Sequence, residues 1–384
     1  MKRKIGIITI IDQLNYGNRL QNYAMQIFLS DFDFEVETIR FSSLSPRTEL
    51  ITRLKASLLS NDAIVGLRNR IKREQLQLDK KKILAQNEKR KAFQKFTNKY
   101  IRFANFVIRE NKIPKKQEQR YQYFVVGSDQ IWNPTYKHFE PYITYLRFTE
   151  ERKRIAVSPS FGVDFIPEEL RKQLTQYLNE MHYLSVRERS GAEIVEKLTG
   201  RNCDVLLDPT MLVSSDSWKN LVNNTQLEMP PKYVLTYFLG QISQERRTYI
   251  EHYAAMHNAE IVEMNCLEKK EIYSWGPDKF LKAIQNSEMF FTDSFHGCVF
   301  SMIFHKQFAV FRRMDKQADM FSRVDTLLNS MELSECVVND LTSEPYLISE
   351  EKYQKVDDTI SREKQRTKSI LEIIFSQKGD KNED

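Results

Sequence analysis

Short apolar runs alternate with amphipathic segments along most of this 384-residue chain, and this alternation constrains its fold most strongly. The apolar runs predict β-strands at residues 4–10, 35–41, 123–127, 154–158, 184–187, 205–208, 233–239, 260–264, 289–292 and 308–311. Between them, apolar residues recur at helical spacing, as in the segment that ends at Gly200. The pattern is typical of parallel sheets covered by helices, so we predict an α/β fold with two Rossmann-like halves.

The domain organisation follows from a connection marked by Pro230 and Pro231, after which the alternation resumes. We expect an N-terminal Rossmann-like domain at 1–210, a C-terminal one at 211–345, a closing helix at 346–376 and a disordered tail at 377–384. The composition, 41% hydrophobic and 29% charged without an apolar run of about 20 residues, argues against a membrane-spanning bundle. The four cysteines form no CxxC pair, which favours a reduced, cytoplasmic protein without a disulfide framework or zinc site.

Residues 46–120 form a strongly basic segment, with 21 Lys and Arg against 7 Asp and Glu. Apolar residues at helical spacing, such as Phe93, Phe96 and Tyr100, predict two or more amphipathic helices here. One interpretation is a solvated helical insertion. The other is attraction to a polyanion, either the inner face of the cell membrane or a diphosphate-linked lipid. Nucleic acid is not expected as a partner, because no recognised reader motif accompanies the charge.

Polar residues cluster directly after several predicted strands, where parallel sheets bind their ligands. These candidates for substrate binding are Asn15, Asn18, Gln21 and Asn22 after the first strand, Ser128, Asp129, Gln130, Trp132 and Asn133 after the third, Ser160 after the fourth, and Asp293 and Ser294 after the ninth. The set that follows the third strand suits hydrogen bonding and stacking on a sugar ring. The alternative is ordinary turn and cap chemistry, for which Asn, Asp, Ser and Gly are the common residues.

His296 is the sharpest catalytic candidate in the sequence. It follows an apolar strand and begins a helix, so we expect it in the first helical turn at the carboxyl edge of a sheet. The exposed N–H groups there attract anions and disfavour an imidazolium, and a neutral imidazole can act as a base near pH 7. The alternative is a capping segment that contains an incidental histidine.

Arg187 ends a predicted strand and offers the fork geometry that carboxylate and phosphate recognition needs. A structural pair with Glu188 or Asp208 is the alternative. Arg312 and Arg313 follow the last strand and form either a second anion clamp or a surface pair. No Walker loop, GxGxxG, GxSxG or HExxH motif occurs, which argues against P-loop NTPases, dinucleotide dehydrogenases, elbow-type serine hydrolases and zincins.

Seven segments resemble those of the polysaccharide pyruvyl transferases, in the order in which that family has them. They read KIGIITIIDQLNYGNRLQNYAMQ, FVVGSDQIWNP, SPSFG, LSVRERSGAEIVEKLTG, VLLDPTML, FFTDSFHGCVFSMIF and FAVFRR. Together they cover most of the chain from residue 4 to about residue 330, apart from the basic segment.

The resemblance implies two GT-B-like domains that face a cleft, and transfer of a pyruvyl group from phosphoenolpyruvate to two sugar hydroxyls as a cyclic ketal. It also implies that His296 is catalytic and that Arg187 binds the donor, with no cofactor and no metal. The acceptor would be a sugar of a bacterial capsule or exopolysaccharide, or its lipid-linked precursor. Several members have Arg two residues before the histidine, where this chain has Ser294, and Arg312 or Arg313 is the expected substitute.

Two other functions fit the same residues. A GT-B-like glycosyltransferase would hold the diphosphate of a nucleotide sugar at the helix N-terminus that carries His296. A non-catalytic glycan-binding or scaffold protein would use the polar loops alone.

Overall fold

Parallel β-sheets form the frame of the protein. The computed structural model describes residues 3–11, 14–42, 70–136, 139–314 and 321–376. Within these ranges the strands form sheets of five, four and two members, and every pairing is parallel. The fold is therefore α/β with two Rossmann-like domains, as the alternation predicts.

The N-terminal domain is built on the five-stranded sheet, in the spatial order β3-β2-β1-β4-β5. Its strands are β1 (Lys4–Ile8), β2 (Glu35–Ser42), β3 (Phe103–Arg109), β4 (Tyr123–Val126) and β5 (Arg154–Ala156). Ile5 lies between Val36 of β2 and Tyr123 of β4, and all three side chains are buried. The strand order reverses between β1 and β4, which opens a crevice at their carboxyl ends.

Helices and a small second sheet complete this domain. They are α1 (Tyr16–Ser30), α2 (Arg70–Tyr100), α3 (Lys115–Glu118), α4 (Pro141–Thr144), α5 (Glu168–Asn179), β6 (Ser185–Val186), α6 (Arg189–Thr199) and β7 (Asp204–Val205). A bridge between Ile155 and Tyr183 continues the main sheet towards β6, which pairs with β7. Gly200 ends α6 with φ +69°, a left-handed conformation that glycine adopts without strain.

The C-terminal domain contains the four-stranded sheet, in the order β11-β10-β8-β9. Its elements are α7 (Pro209–Leu212), α8 (Ser215–Asn223), β8 (Tyr233–Tyr237), α9 (Gln244–Met256), β9 (Glu260–Glu263), α10 (Lys270–Tyr273), α11 (Pro277–Asn286), β10 (Met289–Thr292), α12 (Phe295–Ile303), β11 (Gln307–Val310), α13 (Ser322–Ser330) and α14 (Glu350–Ser376). The order reverses between β8 and β10, so this sheet has a crevice of the same kind.

The basic segment differs from its prediction as a purely helical insertion. Residues 103–109 form β3, the edge strand of the first sheet, with Phe103 paired to Thr38 of β2. The run was missed because its polar and apolar residues alternate only loosely. Residues 43–69 lie outside the described ranges.

The single long helix α2 joins the two domains. Phe93 and Phe96 are buried, and the Phe93 ring lies 5.1 Å from that of Tyr16. Tyr16 in turn stacks on Phe280 of the C-terminal domain at 4.6 Å. The predicted apolar stripe of this segment therefore fills the space between α1, α10 and α11.

Helix α14 also connects the domains. Tyr353 and Val356 pack in the core of the C-terminal domain, whereas Leu371 and Phe375 pack on the first sheet beside Ile5. The predicted disordered tail, 377–384, lies outside the described residues. Among the helices described, none combines the length and apolar character needed to span a bilayer.

Candidate active site

Four ionisable side chains from four places in the chain converge where the two domains meet. Asp129 follows β4, Arg187 follows β6, Asp208 follows β7 and His296 lies in the first turn of α12. All four side chains are buried. The carboxyl ends of parallel strands lie at one edge of a sheet, which is why residues so far apart in sequence come together here.

Asp208 is the most heavily hydrogen-bonded member of this cluster. Its Oδ2 accepts from Ser128 Oγ at 2.6 Å and from Arg187 Nη1 at 2.8 Å, and its Oδ1 accepts from the Thr210 amide at 3.0 Å. Burial alone raises the pKa of Asp208, but His296, Arg187 and Ser128 together hold it well below its usual range. Asp208 is therefore a carboxylate at all ordinary pH values.

Arg187 lies across the cluster and contacts both carboxylates. Its Nη1 donates to Asp208, its Nη2 lies 3.3 Å from Asp129 Oδ1, and its guanidinium carbon lies 4.3 Å from the centre of the Phe295 ring. The structural pair with Asp208 is thus present. However, Arg187 Nε is buried and has no hydrogen-bond partner among the described residues. A buried donor of this kind is rare in proteins, and a catalytic or ion-binding role is one explanation for it.

His296 is held tightly by its neighbours. Ser294 caps α12 by accepting from the Gly297 amide at 3.2 Å, which fixes the start of the helix. A Cβ atom at Gly17 would lie 2.0 Å from His296 Nδ1, so only glycine lets α1 approach the ring this closely. His296 Nε2 lies 3.7 Å from Asp208 Oδ2, which is too long for a hydrogen bond. Within the described ranges this buried nitrogen has no hydrogen-bond partner.

Asp129 connects the cluster to a second arginine, Arg323 of α13. Arg323 is buried, and its Nη1 lies 3.9 Å from Asp129 Oδ1. With its oxygen turned towards Arg323, the Gln130 carboxamide lies 2.8 and 2.9 Å from the two terminal guanidinium nitrogens. Burial raises the pKa of Asp129, but neighbouring positive charges, Arg187 foremost, bring it below its usual range.

A cavity of about 650 Å³ opens beside Asp129, at the crevice between β1 and β4. Its polar lining includes five of the predicted residues, namely Asn15, Asn18, Asp129, Gln130 and Asn133. Ile10, Phe41 and Phe139 supply apolar walls, and Tyr136 lies at the same opening. The mixture of amides and aromatic rings, and the volume, are typical of a site for a small organic molecule.

Several other predicted residues support the site from behind. Gln21 donates to Thr9 Oγ1 and accepts from the Ser128 amide, while Asn22 Oδ1 accepts from Thr38 Oγ1. All of these side chains are fully buried. Gln21 fixes the loop after β4 against α1, Asn22 fixes α1 against β2, and neither side chain lines the cavity.

Trp132 was expected to stack on a sugar, and the structure places it in the core instead. Its indole N–H donates to the Thr144 carbonyl at 2.8 Å, and its ring stacks on Tyr145 at 4.8 Å between centroids. The ring is wholly buried, so no face is open to a ligand. An aromatic residue in a polar run does not by itself reveal which way it points.

Ser160 and Glu188 shape the back of the site. The Ser160 amide donates to the Asp129 carbonyl at 2.7 Å, and Glu188 Oε1 accepts from the Phe161 amide at 2.9 Å. Burial raises the pKa of Glu188 despite the nearby arginines. Gly162, with φ +60°, lies so close to Gln130 that a Cβ would be 2.4 Å from the end of its side chain. Only glycine leaves room for Gln130 here.

The remaining predicted residues belong to the crevice of the second sheet. Asp293 accepts from the amides of Leu239 and Gly240 at 2.7 and 2.8 Å, and Arg313 Nε lies 3.2 Å from its Oδ2. Arg312 is half exposed and forms a two-point ion pair with Asp325. Neither arginine joins the His296 cluster, so the structure does not bear out their expected place beside it.

Sequence reasoning missed Arg323 and treated Asp208 only as a partner for Arg187. Arg323 lies within a helix rather than after a strand, so the strand-end rule does not find it. Its spacing of four from the buried Leu327 places it on the buried face of α13, which is the one signal the sequence offers.

Comparison with known proteins gives one family match. The model of the polysaccharide pyruvyl transferase family matches residues 15–315. No curated protein matches the sequence. Similar solved structures include a UDP-GlcNAc 2-epimerase from Methanocaldococcus jannaschii, 10% identical with a TM-score of 0.43, over 96% of this chain and 99% of that one. Another is S. aureus TarM bound to fondaparinux, α-GlcNAc-glycerol and UDP, 11% identical with a TM-score of 0.39, over 98% and 100%.

Proposed function

Because the chain belongs to the polysaccharide pyruvyl transferase family, we propose that it transfers the pyruvyl group of phosphoenolpyruvate to two hydroxyls of a sugar. The products are a cyclic ketal and inorganic phosphate. The acceptor is a sugar of a bacterial cell-surface polysaccharide or of its lipid-linked precursor. The observation that carries this proposal is two buried nitrogens without a hydrogen-bond partner among the described residues, His296 Nε2 and Arg187 Nε. Both belong to the ionic cluster whose Asp129 also lines the cavity.

The chemistry requires a proton acceptor and an anion clamp. One sugar hydroxyl adds to C2 of the enol, its proton is removed, and C3 gains a proton to become a methyl group. The second hydroxyl then forms a bond to C2 as the C2–O bond to phosphate breaks, and its proton leaves. His296 Nε2 suits the proton transfers because it is buried and is not committed to a hydrogen bond.

Arg187 suits the donor because its Nε proton has no partner among the described residues, while Asp208 holds its Nη1 at 2.8 Å. This short ion pair orients the guanidinium group, so the Nε–H points in one direction. A fixed positive charge binds the carboxylate or phosphate oxygens of the donor and stabilises the phosphate as it leaves.

The cavity between β1 and β4 suits the acceptor sugar. Amide groups of Asn15, Asn18 and Asn133 pair with hydroxyls as donors and acceptors, and the Phe41 and Phe139 rings offer apolar surface. The cavity shares Asp129 with the ionic cluster, so a sugar bound there lies next to the reacting groups.

Phosphate release from phosphoenolpyruvate in the presence of acceptor oligosaccharides tests the proposal. We expect His296→Gln to lower turnover by roughly 10² to 10⁴, the range that general acid–base catalysis supplies. His252→Gln, on the exposed face of α9, is the matched control and should keep parental turnover. If His296→Gln stays within a few-fold of the parent, the proton transfer belongs to Asp129 instead.

The donor that the protein binds distinguishes a pyruvyl transferase from a glycosyltransferase that uses a nucleotide sugar. We expect phosphoenolpyruvate to raise the melting temperature of the protein, since a ligand that binds only the folded state stabilises it. A rise with UDP or another nucleoside diphosphate, and none with phosphoenolpyruvate, favours the glycosyltransferase.

The exposed face of α2 supports the proposed contact with an anionic membrane surface. Lys81, Lys82, Arg90 and Lys91 are exposed, and Ile83 and Leu84 beside them are 51% and 59% exposed. Such a face suits the inner leaflet, where a lipid-linked acceptor lies.

Vesicle flotation measures this contact. Binding to anionic vesicles should fall steeply as salt rises, because surface charges are screened within about 10 Å at 0.1 M. Lys81→Glu/Lys82→Glu should abolish it, while Lys355→Glu/Arg362→Glu on α14 should not. Equal binding to neutral and anionic vesicles at low salt argues against the contact.

A further inference from the structure

Two buried guanidinium groups from different domains lie beside one carboxylate. Arg187 belongs to the N-terminal domain and Arg323 to α13 of the C-terminal domain. Asp129 Oδ1 lies 3.3 Å from Arg187 Nη2 and 3.9 Å from Arg323 Nη1. Both distances exceed the 2.7–2.9 Å of a good charge-assisted hydrogen bond, so Asp129 holds neither arginine firmly.

This arrangement is costly for a folded protein that has no use for it. Burial foremost, and then the nearby charge of Arg187, lowers the pKa of Arg323 to about 10, while Asp129 and Glu188 act in the opposite direction. A well-packed apolar residue at either position would avoid this cost. Two converging cations in a buried place are instead what binding of a multiply charged oxyanion requires.

We propose that Arg323 and Arg187 together form the clamp for the oxyanion groups of the donor, with Asp129 as the internal anion that the donor competes with. This inference rests on the proposed function for the identity of the donor. It assigns to Arg323 the positive charge that several family members have at the position where this chain has Ser294.

The other two candidate arginines are committed elsewhere. Arg312 forms its two-point ion pair with Asp325 at the surface, and Arg313 lies against Asp293 in the second crevice. Arg323 alone among the three faces Asp129, and Gln130 orients its guanidinium plane through two contacts at 2.8 and 2.9 Å.

The clamp draws its two halves from the two domains, so one bound anion links them. Arg187 is carried by the loop after β6 and Arg323 by the first turn of α13. Donor binding should therefore depend on how the domains are placed, and the donor should stabilise their contact.

Calorimetric titration with phosphoenolpyruvate tests the clamp without an acceptor. We expect Arg323→Gln to weaken binding roughly tenfold to a hundredfold, the usual effect of losing a hydrogen-bonded charge. Arg323→Lys keeps the positive charge and is the variant less prone to misfold. It should lose less affinity than Arg323→Gln but should still bind more weakly than the parent, because lysine lacks the planar fork of arginine. Arg312→Gln is the matched control and should bind like the parent.

Asp129→Asn separates binding from a structural role. If Asp129 competes with the donor, its neutralisation should tighten phosphoenolpyruvate binding. If Asp129 only holds Arg187 and Arg323 in shape, the same change should weaken binding, which would overturn the inference.

The outcomes distinguish the clamp from the reaction. Parental affinity in a folded Arg323→Gln protein overturns the clamp and leaves the proposed function standing. A parent that binds inorganic phosphate but not phosphoenolpyruvate, with loss in Arg323→Gln, supports the clamp and overturns the donor. A parent that binds neither anion overturns the clamp, and phosphate release then decides the proposed function by itself.

Discussion

The two sheets have crevices of the same topological kind, but their polar groups differ in how they are paired. Between β1 and β4, the strand ends border the cavity of about 650 Å³, and the adjoining cluster contains buried nitrogens that have no partner among the described residues. Between β8 and β10, Asp293 accepts two backbone N–H groups and pairs with Arg313, so its polar groups satisfy one another.

The difference teaches that a reversal of strand order marks where a site can form, and that side chains decide whether one does. A carboxylate that satisfies the loops of its own crevice has little capacity left for a ligand. The second domain therefore contributes to the site chiefly through α12 and α13, which carry His296 and Arg323 to the first domain.

Asp208→Asn should have the largest effect on stability, because it removes a carboxylate on which the open crevice is built. Leaving Arg187 buried with one partner fewer should cost about 3–5 kcal/mol of the free energy of unfolding, measured by denaturant titration. The lowered pKa of Asp208 means that its contribution is complete above the unfolded-state value of about 3.9 and is lost as the pH falls below it. The difference in unfolding free energy between parent and variant should therefore become smaller at acidic pH. A difference that does not change with pH would contradict this explanation.

Gly17→Ala should damage the site through one contact. Alanine favours the helix by up to about 1 kcal/mol over glycine, yet its Cβ would lie 2.0 Å from His296 Nδ1. We expect turnover to fall about 10²-fold, the effect of a displacement near 1 Å. In a His296→Ala background the same change should stabilise the protein. A destabilising effect there would mean that the close contact is not with the imidazole.

Asp293→Asn tests whether the second crevice is structural. An amide oxygen accepts fewer hydrogen bonds than a carboxylate, so we expect a loss of about 2 kcal/mol in unfolding free energy. Donor affinity, measured by calorimetry, should stay at the parental value. A clear loss of donor affinity with unchanged stability would make both crevices functional and break the comparison.

Arg312→Gln should have the smallest effect. Its ion pair with Asp325 is exposed, and such pairs contribute roughly 0–1 kcal/mol. We expect a change below about 0.5 kcal/mol in unfolding free energy and parental turnover. Loss of turnover would return Arg312 to the list of donor-binding candidates.

The sequence predicts most of the fold because parallel strands buried on both faces appear as short apolar runs. Residues 123–126 and 289–292 are such runs, and both form central strands. Edge strand β3 is also rich in apolar residues, but it follows directly on the helical spacing of Phe93, Phe96 and Tyr100, so periodicity alone does not separate it from the helix before it.

The residues of the candidate site were predictable only where they directly follow a predicted strand. Asp129, Arg187 and His296 all follow that rule, and the structure brings them into one cluster, while Asp129 and four further residues selected by the rule line the cavity. It fails for Trp132, whose orientation depends on Tyr145, and for Arg323, whose partners come from the other domain. Contacts across a domain interface leave no local pattern in either segment.

The course of α14 has a consequence for how the protein is made. The face of the first sheet that carries Ile5 and Phe34 is covered by Leu371 and Phe375, more than 300 residues later in the chain. Helix α1 packs Met25 and Phe28 on the same face, but domains generally fold from the N-terminus during synthesis, so the part beneath Leu371 and Phe375 stays uncovered until the ribosome has translated α14. A chain cut short before α14 would therefore expose this apolar surface, which chaperones bind and which promotes aggregation.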